Sequence, residues 1–352
     1  MKDNFFYIDF IKVIACISVM LFHLDVHSFY SDQNASLLFG LKLLNINLGD
    51  IAVSLFIIVS GFGLGLTNRQ SFCIKMYAKK RFLAIYPSFW VSYIFVAIIT
   101  IFILDKNIGE GQSLVKIFLT IVALDGFFLY KFPSFYLVGE WYTGYMVITY
   151  FLFPILFIYA MKKPLLSVFL IIAIMIGVHS KYEVIFDMWE PINPIMRLFE
   201  FFFGILFANI IRNDIFLRVI LTVLSLLVLF NTEMLLEKIP YHFVMVMVGI
   251  SFFLCVSSVL EKVRFFPCIE SLFSNLAKYS FLAFLVHHQI ILYFYSAFDL
   301  THSNNLVKFS VFITVISLSF FYGYIMLPFI NYLAARLSSV LNMNKIRFDE
   351  KI

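Results

Sequence analysis

The sequence has little charge and no segment that would link separate domains. Charged side chains make up 13% of the 352 residues and hydrophobic side chains 62%, with a mean hydropathy of +0.96. A soluble domain carries about 25% charged residues, so this chain has too little polar surface for a water-exposed globule. No stretch is rich in Pro, Gly or Ser, and the net charge of +5 is spread over many short loops. These absences exclude a nucleic-acid-binding protein and predict one all-α, polytopic bundle of transmembrane helices.

The cysteines and the amino terminus lack the patterns of metal binding and secretion. The four cysteines have neither CxxC spacing nor histidines paired with them, so we expect no metal and no redox motif. The first apolar stretch is interrupted by Asp9 and Lys12, and no small-residue cleavage site follows it. It is therefore expected to be a retained membrane helix.

Ten hydrophobic runs predict about ten spans of a bilayer whose apolar core is roughly 30 Å thick. They lie near residues 5–27, 48–67, 78–104, 141–160, 164–178, 196–211, 215–232, 241–260, 279–298 and 307–333. A shorter apolar segment, residues 114–124, either re-enters or crosses the membrane, and a crossing would invert every later span. We expect it to lie within an outer loop formed by residues 105–140.

The distribution of Lys and Arg predicts the orientation of the chain. With the amino terminus inside, seventeen of these residues lie on the inner side and eight on the outer side, and Lys12 lies within the first helix. The positive-inside rule favours this arrangement, with both termini cytoplasmic. Residues 1–335 then form the membrane domain, and residues 336–352 form a short basic tail on the inner leaflet.

Lys12 and His23 place two polar groups on one face of the first helix. Eleven residues are close to three helical turns, which separates the two side chains by ~16 Å along the axis. Ionisable groups inside a membrane are costly and mark functional sites. The alternative is that Lys12 reaches the inner headgroups and His23 lies in the outer interface. Asp25 would face away from His23 on an ideal helix.

Further polar or unusual positions follow along the chain. They are the Lys79-Lys80-Arg81 cluster before Pro87, Glu140 ahead of Trp141 and Tyr142, the Arg197 and Glu200 pair, and the adjacent His287 and His288. Positive-inside anchoring and interfacial placement are the alternative explanations for the basic cluster and for Glu140 and Arg197. The glycines of Ser60–Leu66 lie inside a span with no preceding strand, so they predict close helix packing and not a dinucleotide site.

The first helix resembles that of the acyltransferase type 3 family, membrane enzymes that transfer acyl groups from coenzyme A to surface polysaccharides and related acceptors. The hallmark of that family is Arg or Lys, ten residues, then His, which Lys12 and His23 match. The resemblance continues in order through Ser60-Gly61-Phe62, Arg81–Pro87, Gly139-Glu140-Trp141, Glu200–Gly204 and the His287 segment. The chain departs from the family at Ala84, where a second arginine is usual, at Gln289, where proline is common, and in lacking Trp-Ser before Glu140. It is similar to the stand-alone, membrane-only members.

The resemblance implies an acyl-CoA donor, expected to be acetyl-CoA, and a surface or lipid-linked glycan acceptor. Lys12, Lys80 and Arg81 would bind the CoA phosphates, since the pantetheine arm is of the same order as the ~16 Å to His23. His23 would act as a general base or as a nucleophile, with Glu140 orienting it. Trp141, Tyr142 and His287 are the predicted acceptor-binding residues, although an interfacial belt would also explain the two aromatics.

Two other classes of protein remain open at this point. Ten helices with buried Lys, His and Glu would also serve a transporter or flippase of a lipid-linked glycan, although no repeated halves are evident. A structural scaffold explains the intramembrane charges least well. The resemblance implies a bacterial inner membrane and membrane lipid as a partner, and the sequence leaves the oligomeric state open.

Overall fold

The computed structural model describes residues 5–263 and 265–340, which are largely helical. The helices are α1 (Phe6–Ser31), α2 (Leu48–Thr67), α3 (Ile74–Ile98), α4 (Ile117–Ile121), α5 (Glu140–Lys162), α6 (Pro164–His179), α7 (Tyr182–Ile185), α8 (Leu198–Asn209), α9 (Ile215–Phe230), α10 (Thr232–Lys238), α11 (Tyr241–Leu260), α12 (Pro267–Ala297) and α13 (Asn305–Val340). A two-stranded antiparallel ribbon, Lys42–Leu43 with Ile46–Asn47, precedes α2 and is an exception to the all-α prediction. Its turn residues Leu44 and Asn45 both have positive φ.

Among the described residues, seven helices are long and apolar enough to cross a membrane, so the predicted ten spans are not confirmed. The seven are α1, α2, α3 with its π-helical extension to Ile103, α5, α11, α12 and α13. The α9 and α10 pair would be an eighth, although it bends by 76° at its break. Helix α6 has 16 residues and α8 has 12, which are ~24 and ~18 Å and too short for a full crossing.

The predicted outer loop contains short helical segments, and the predicted tail begins as a continuation of α13. Residues 114–121 form a 3-10 turn followed by the five-residue helix α4, which is too short to cross a bilayer. Helix α13 continues through residues 336–340, the first part of the predicted tail. Residues 341–352 of that tail lie outside the described residues.

The centre of the bundle is the crossing of α2 and α8, where glycines allow close approach. A Cβ atom on Gly61 would lie 2.1 Å from the Phe201 carbonyl oxygen, and one on Gly204 would lie 2.1 Å from the Ile58 carbonyl oxygen. Gly65 also faces α8. Backbones this close exclude any larger residue, which confirms the prediction of close helix packing. Helix α2 is the most deeply buried of the seven apolar helices.

Buried ionic contacts fasten this crossing to its neighbours. Arg197, just before α8, is fully buried and binds both oxygens of Glu200, at 2.8 and 3.1 Å. Its guanidinium also donates to the Asp50 carbonyl and the Ser54 hydroxyl of α2. Because all three guanidinium nitrogens of Arg197 donate to protein oxygens, this pair connects the start of α8 to α2.

The two ends of the bundle are defined here by α1. The Lys12 end is where α1 begins, and the His23 end is where it finishes. At the His23 end, Asp25 accepts hydrogen bonds from the backbone N–H groups of Leu38, Phe39 and Gly40. This contact ties the chain that follows α1 back onto that helix.

Candidate active site

The two catalytic candidates of the sequence meet where α1, α5 and α12 come together. His23 lies in the last third of α1, and Glu140 is the first residue of α5. The His23 Nε2 and Glu140 Oε2 atoms are 3.1 Å apart, and the side chains are 18% and 10% exposed. An imidazole and a carboxylate at this distance form a hydrogen-bonded pair that is largely shielded from water.

An unusual backbone conformation at Gly139 and Glu140 orients the Glu140 carboxylate. Gly139 and Glu140 both have positive φ, +81° and +44°. A Cβ atom on Gly139 would lie 2.2 Å from the Thr143 hydroxyl oxygen, so only glycine fits there. Positive φ is uncommon for a residue with a side chain, and strained residues of this kind concentrate at functional sites. The Gly139 N–H donates to the Leu285 carbonyl, which ties this backbone segment to α12.

The hydrogen bond to Glu140 determines which nitrogen of His23 can take a proton. A carboxylate only accepts, so the proton of a neutral His23 ring lies on Nε2 and is donated to Glu140. The lone pair is then on Nδ1, which becomes the basic and nucleophilic atom. Glu140 would also stabilise the imidazolium once Nδ1 is protonated. This assignment comes from the hydrogen-bond network.

His287 lies behind Glu140 and not in the open part of the site. Its side chain is fully buried, and its Nδ1 donates to the Phe284 carbonyl at 2.6 Å. Its Nε2 is 3.8 Å from Glu140 Oε1, and both atoms are buried without a hydrogen-bond partner among the described residues. A separation of 3.8 Å is longer than a hydrogen bond, so His287 lies against the Glu140 carboxylate without sharing a proton with it. Such a position favours orienting Glu140 over touching an acceptor.

Three further residues, for which no site role was predicted from the sequence, lie around Glu140 and its neighbours. His288 Nδ1 lies 3.7 Å from Glu140 Oε1 and 3.5 Å from the Tyr136 hydroxyl. Burial raises the pKa of the Tyr136 phenol well above its ordinary value, so it remains a donor. His288 Nε2 lies 3.1 Å from His27 Nε2. His27 follows His23 by four residues, a helical spacing that could have revealed its place on the same face.

A small cavity of about 70 Å³ opens beside the His23 and Glu140 pair. Its lining includes the predicted Trp141 and Tyr142, and also Trp189 and Asp50, which were not predicted from the sequence. Trp189 is 56% exposed and comes from the segment between α6 and α8. Tyr142 is buried against aromatic neighbours, whereas Trp141 is half-buried. The cavity therefore has a histidine at its wall and two indoles facing it.

A larger cavity of about 570 Å³ lies between α6, α8, α9 and α11. Its lining is apolar apart from two serines and contains no ionisable side chain. It therefore carries no group able to act as an acid, a base or an anion ligand.

The predicted donor-binding cations lie toward the Lys12 end of the bundle. Lys12, Lys80 and Arg81 are all half-buried, on α1 and α3. The Arg81 guanidinium carbon is 5.9 Å from the centre of the Tyr150 ring, and the Tyr150 hydroxyl bonds to Ser60 at 3.0 Å. Arg81 Nε is buried and has no hydrogen-bond partner among the described residues. A buried cationic N–H without an acceptor is suited to binding an anion.

The site residues could also surround a metal ion. One ligating atom each from His23, Glu140 and His287 lie within 4.8 Å of one another. The sequence predicts no metal at these residues.

The fold and the site define a helical membrane protein with a buried histidine–carboxylate pair at one end. The family model described as an acyltransferase domain, that of the acyltransferase type 3 family, matches residues 5–327. The chain belongs to this family, which confirms the resemblance seen in its sequence.

One curated relative is named acyltransferase MdmB, from Streptomyces mycarofaciens. It is 30% identical over 99 residues, which cover 28% of this chain and 24% of the relative. The chain thus matches about a quarter of the length of that relative. No solved structure matches the chain.

Proposed function

We propose that this protein is a membrane O-acyltransferase that moves an acetyl group from acetyl-CoA to a hydroxyl of a surface polysaccharide or lipid-linked glycan. The observation that carries the proposal is the His23–Glu140 pair at 3.1 Å beside a cavity faced by two tryptophans. Membership of the acyltransferase type 3 family supports acyl transfer as the reaction.

In the proposed reaction His23 is the general base. Its Nδ1 takes the proton from the acceptor hydroxyl as the oxygen attacks the thioester carbonyl. The carbon–sulfur bond then breaks, and the His23 imidazolium returns the proton to the departing CoA sulfur. Glu140 stabilises the imidazolium formed between these steps, so its charge is most useful when the transition state is reached.

The donor would lie along α1 with its phosphates at the Lys12 end. Lys12 and His23 are eleven residues apart on one continuous helix, which separates them by ~16 Å. Phosphates bound by Lys12, Lys80 and Arg81 would leave the thioester close to His23. The buried Arg81 Nε, which has no acceptor among the described residues, supports an anion ligand at that end.

The acceptor would enter at the His23 end. Trp141 and Trp189 present aromatic faces on which a sugar ring can stack, and Asp50 supplies a carboxylate at the same cavity. The cavity is small, with a volume of about 70 Å³. That size suits an acetyl group better than a long acyl chain.

We also propose that the Lys12 end faces the cytoplasm, in a bacterial inner membrane. The excess of Lys and Arg on that side supports this orientation, and it gives the donor cations access to cytoplasmic acetyl-CoA. A reporter fused after Ile352 should then read cytoplasmic. A periplasmic signal would overturn the orientation.

The central experiment is to incubate the purified protein with a glycan acceptor and acetyl-CoA labelled in the acetyl group, and to measure free CoA and label on the glycan. The parent protein should release CoA, and His23→Ala should not. His302→Ala is a matched control, because His302 is an exposed histidine at the same end that pairs with Asp299 and Asp32. Absence of CoA release by the parent, with any glycan acceptor, would favour the transporter.

A second measurement separates direct transfer from a covalent intermediate. The protein is mixed with labelled donor and no acceptor, denatured, and examined for bound label. Direct transfer predicts no label on the protein, whereas label that disappears in His23→Ala would make His23 the nucleophile.

A further inference from the structure

A second group of two histidines and one glutamate lies away from the cavity residues His23 and Glu140. We call His179, Glu190 and His242 the loop cluster. His179 ends α6, Glu190 begins a 3-10 turn, and His242 lies in the first turn of α11. Three separate segments therefore converge on one point.

The geometry brings the ligating atoms of the loop cluster within reach of one ion. His179 Nδ1 is 2.8 Å from Glu190 Oε1, and His242 Nδ1 is 2.6 Å from Glu190 Oε2. The three ligand atoms all lie within 4.8 Å of one another. Metal–ligand bonds of ~2.0 to 2.2 Å can join atoms at such separations.

The state of His242 points to a ligand beyond the protein's own hydrogen bonds. Its side chain is 1% exposed, and its Nδ1 lies 2.6 Å from Glu190 Oε2. Its Nε2 is buried without a hydrogen-bond partner among the described residues. A buried imidazole normally has a partner, because an unpaired polar group costs free energy. A cation bound through a ring lone pair would satisfy it.

We propose that the loop cluster binds a zinc ion that fastens the segment between α6 and α8. Two imidazoles and a carboxylate suit zinc and related transition metals, whereas magnesium and calcium prefer oxygen ligands. His179 and Glu190 are 33% and 22% exposed, so the ion has a path from water and room for a water ligand.

The position of Glu190 gives the ion a consequence for the neighbouring cavity. Trp189, the preceding residue, lines the cavity that contains His23 and Glu140. The following residue, Pro191, accepts a hydrogen bond from Arg197. Zinc bound by Glu190 would therefore hold the Trp189 wall in place. Zinc binding itself does not depend on the proposed function, and only this positioning effect rests on it.

The test uses the full-length protein, purified in detergent, stripped with EDTA and titrated with zinc chloride. Calorimetry and elemental analysis after dialysis measure affinity and stoichiometry. The parent should bind one zinc per chain at the loop cluster. Glu190→Gln and His179→Asn should weaken that binding roughly a hundredfold or more, since each removes a ligand. His179 is partly exposed, so its variant is the less disruptive of the two.

Two control variants decide where the ion binds. His302→Asn alters an exposed histidine paired with a carboxylate and should leave the bound zinc unchanged. His23→Ala alters the other histidine–glutamate group and should leave it unchanged as well. Zinc that persists in Glu190→Gln and disappears in His23→Ala would place the ion at the catalytic pair and overturn the proposal. A parent protein that binds no zinc would also overturn it.

Hydrogen–deuterium exchange supplies a readout that does not use activity. Addition of zinc to the stripped parent should slow exchange in residues 180–193, whereas the same addition to Glu190→Gln should not. Equal exchange with and without zinc in the parent would show that the ion does not fasten this segment. Because acetyl transfer is not measured, failure of the proposed function would leave these results unaffected.

Discussion

Two groups at the His23 end have the same composition and different surroundings. Both place one glutamate between histidines, His23, Glu140 and His287 in one and the loop cluster in the other. In the first, His23 and Glu140 line a cavity next to exposed and half-buried tryptophans. In the second, no member lines that cavity, and the ligating atoms converge from three segments.

This difference suggests that the surroundings, and not the residue types, assign the chemistry. A histidine whose Nε2 is held by a carboxylate keeps one nitrogen available to a substrate in the cavity. The imidazoles of the loop cluster contact a carboxylate and each other and do not line the cavity. The ligand that suits them is therefore a metal ion. Variants of the glutamate in each group test whether the two groups have different roles.

The largest expected effect is at Glu140. Glu140→Gln keeps the size of the side chain, but its amide would donate to His23 Nε2 and so place the His23 proton on Nδ1. The base would then be lost, and kcat should fall by roughly 10²- to 10⁴-fold. Steady-state kinetics of CoA release measure this change.

Glu140→Asp serves as the partner variant, because it keeps the charge and should recover part of kcat. The loop-cluster variant Glu190→Gln should leave kcat for CoA release at saturating substrate close to that of the parent. Equal losses of kcat in Glu140→Gln and Glu190→Gln would erase the distinction between the two groups.

The next effect concerns the cations at the Lys12 end. Arg81→Ala and Lys12→Ala should raise the apparent KM for acetyl-CoA roughly ten- to a hundredfold, because each loses one charge-assisted contact. Turnover should recover in part at high donor concentration. Lys12→Arg keeps the charge and should retain substantial binding.

Lys75→Ala is the matched control for this prediction, since Lys75 is an exposed cation on the same helix α3. Its apparent KM should stay close to that of the parent. His23→Ala should bind CoA with nearly unchanged affinity in direct binding measurements. Tight CoA binding by both Arg81→Ala and Lys12→Ala would make these residues topological anchors only.

A smaller effect is expected from loosening the loop cluster. His179→Asn should raise the KM for the glycan acceptor several-fold, because Trp189 would no longer be held against the cavity. The KM for acetyl-CoA should not change, since the donor cations lie at the other end. A matching rise in the donor KM would indicate general damage to the fold and not a local effect on the acceptor wall.

The sequence predicted the positions of the helices better than the number of spans. All ten apolar runs are helical, but residues 200–209 of α8 are buried by neighbouring helices. Burial in protein and exposure to lipid select the same side chains, so hydropathy alone does not separate them. Close packing at Gly61 and Gly65 could be predicted because their four-residue spacing places both glycines on one face of α2.

Only part of the candidate site could be predicted from the sequence, because the rest depends on tertiary contacts. The eleven-residue interval predicted that Lys12 and His23 lie on one face of the first helix. The four-residue interval from His23 to His27 could have placed His27 on that face as well. The positive φ of Glu140 and the approach of Trp189 depend on contacts between segments far apart in the chain. No local pattern encodes those contacts.

The smallest expected effect is at Asp125, in the segment that leads to Glu140. Burial raises the pKa of the Asp125 carboxyl to about 6. The folded protein then binds more protons than the unfolded chain between about pH 4 and pH 6, so stability falls as pH rises through that range. Asp125→Asn removes the buried charge and keeps the oxygen that accepts from the Gly126 N–H. Its Tm at pH 8 should exceed that of the parent by a few degrees, and the difference should disappear below about pH 4.

Asp105→Asn is the control variant, because Asp105 is exposed and has a positive φ that asparagine tolerates. Its Tm relative to the parent should not depend on pH in this way. A parent Tm that does not fall between pH 4 and pH 6 relative to Asp125→Asn would mean that Asp125 is already ionised in the folded protein.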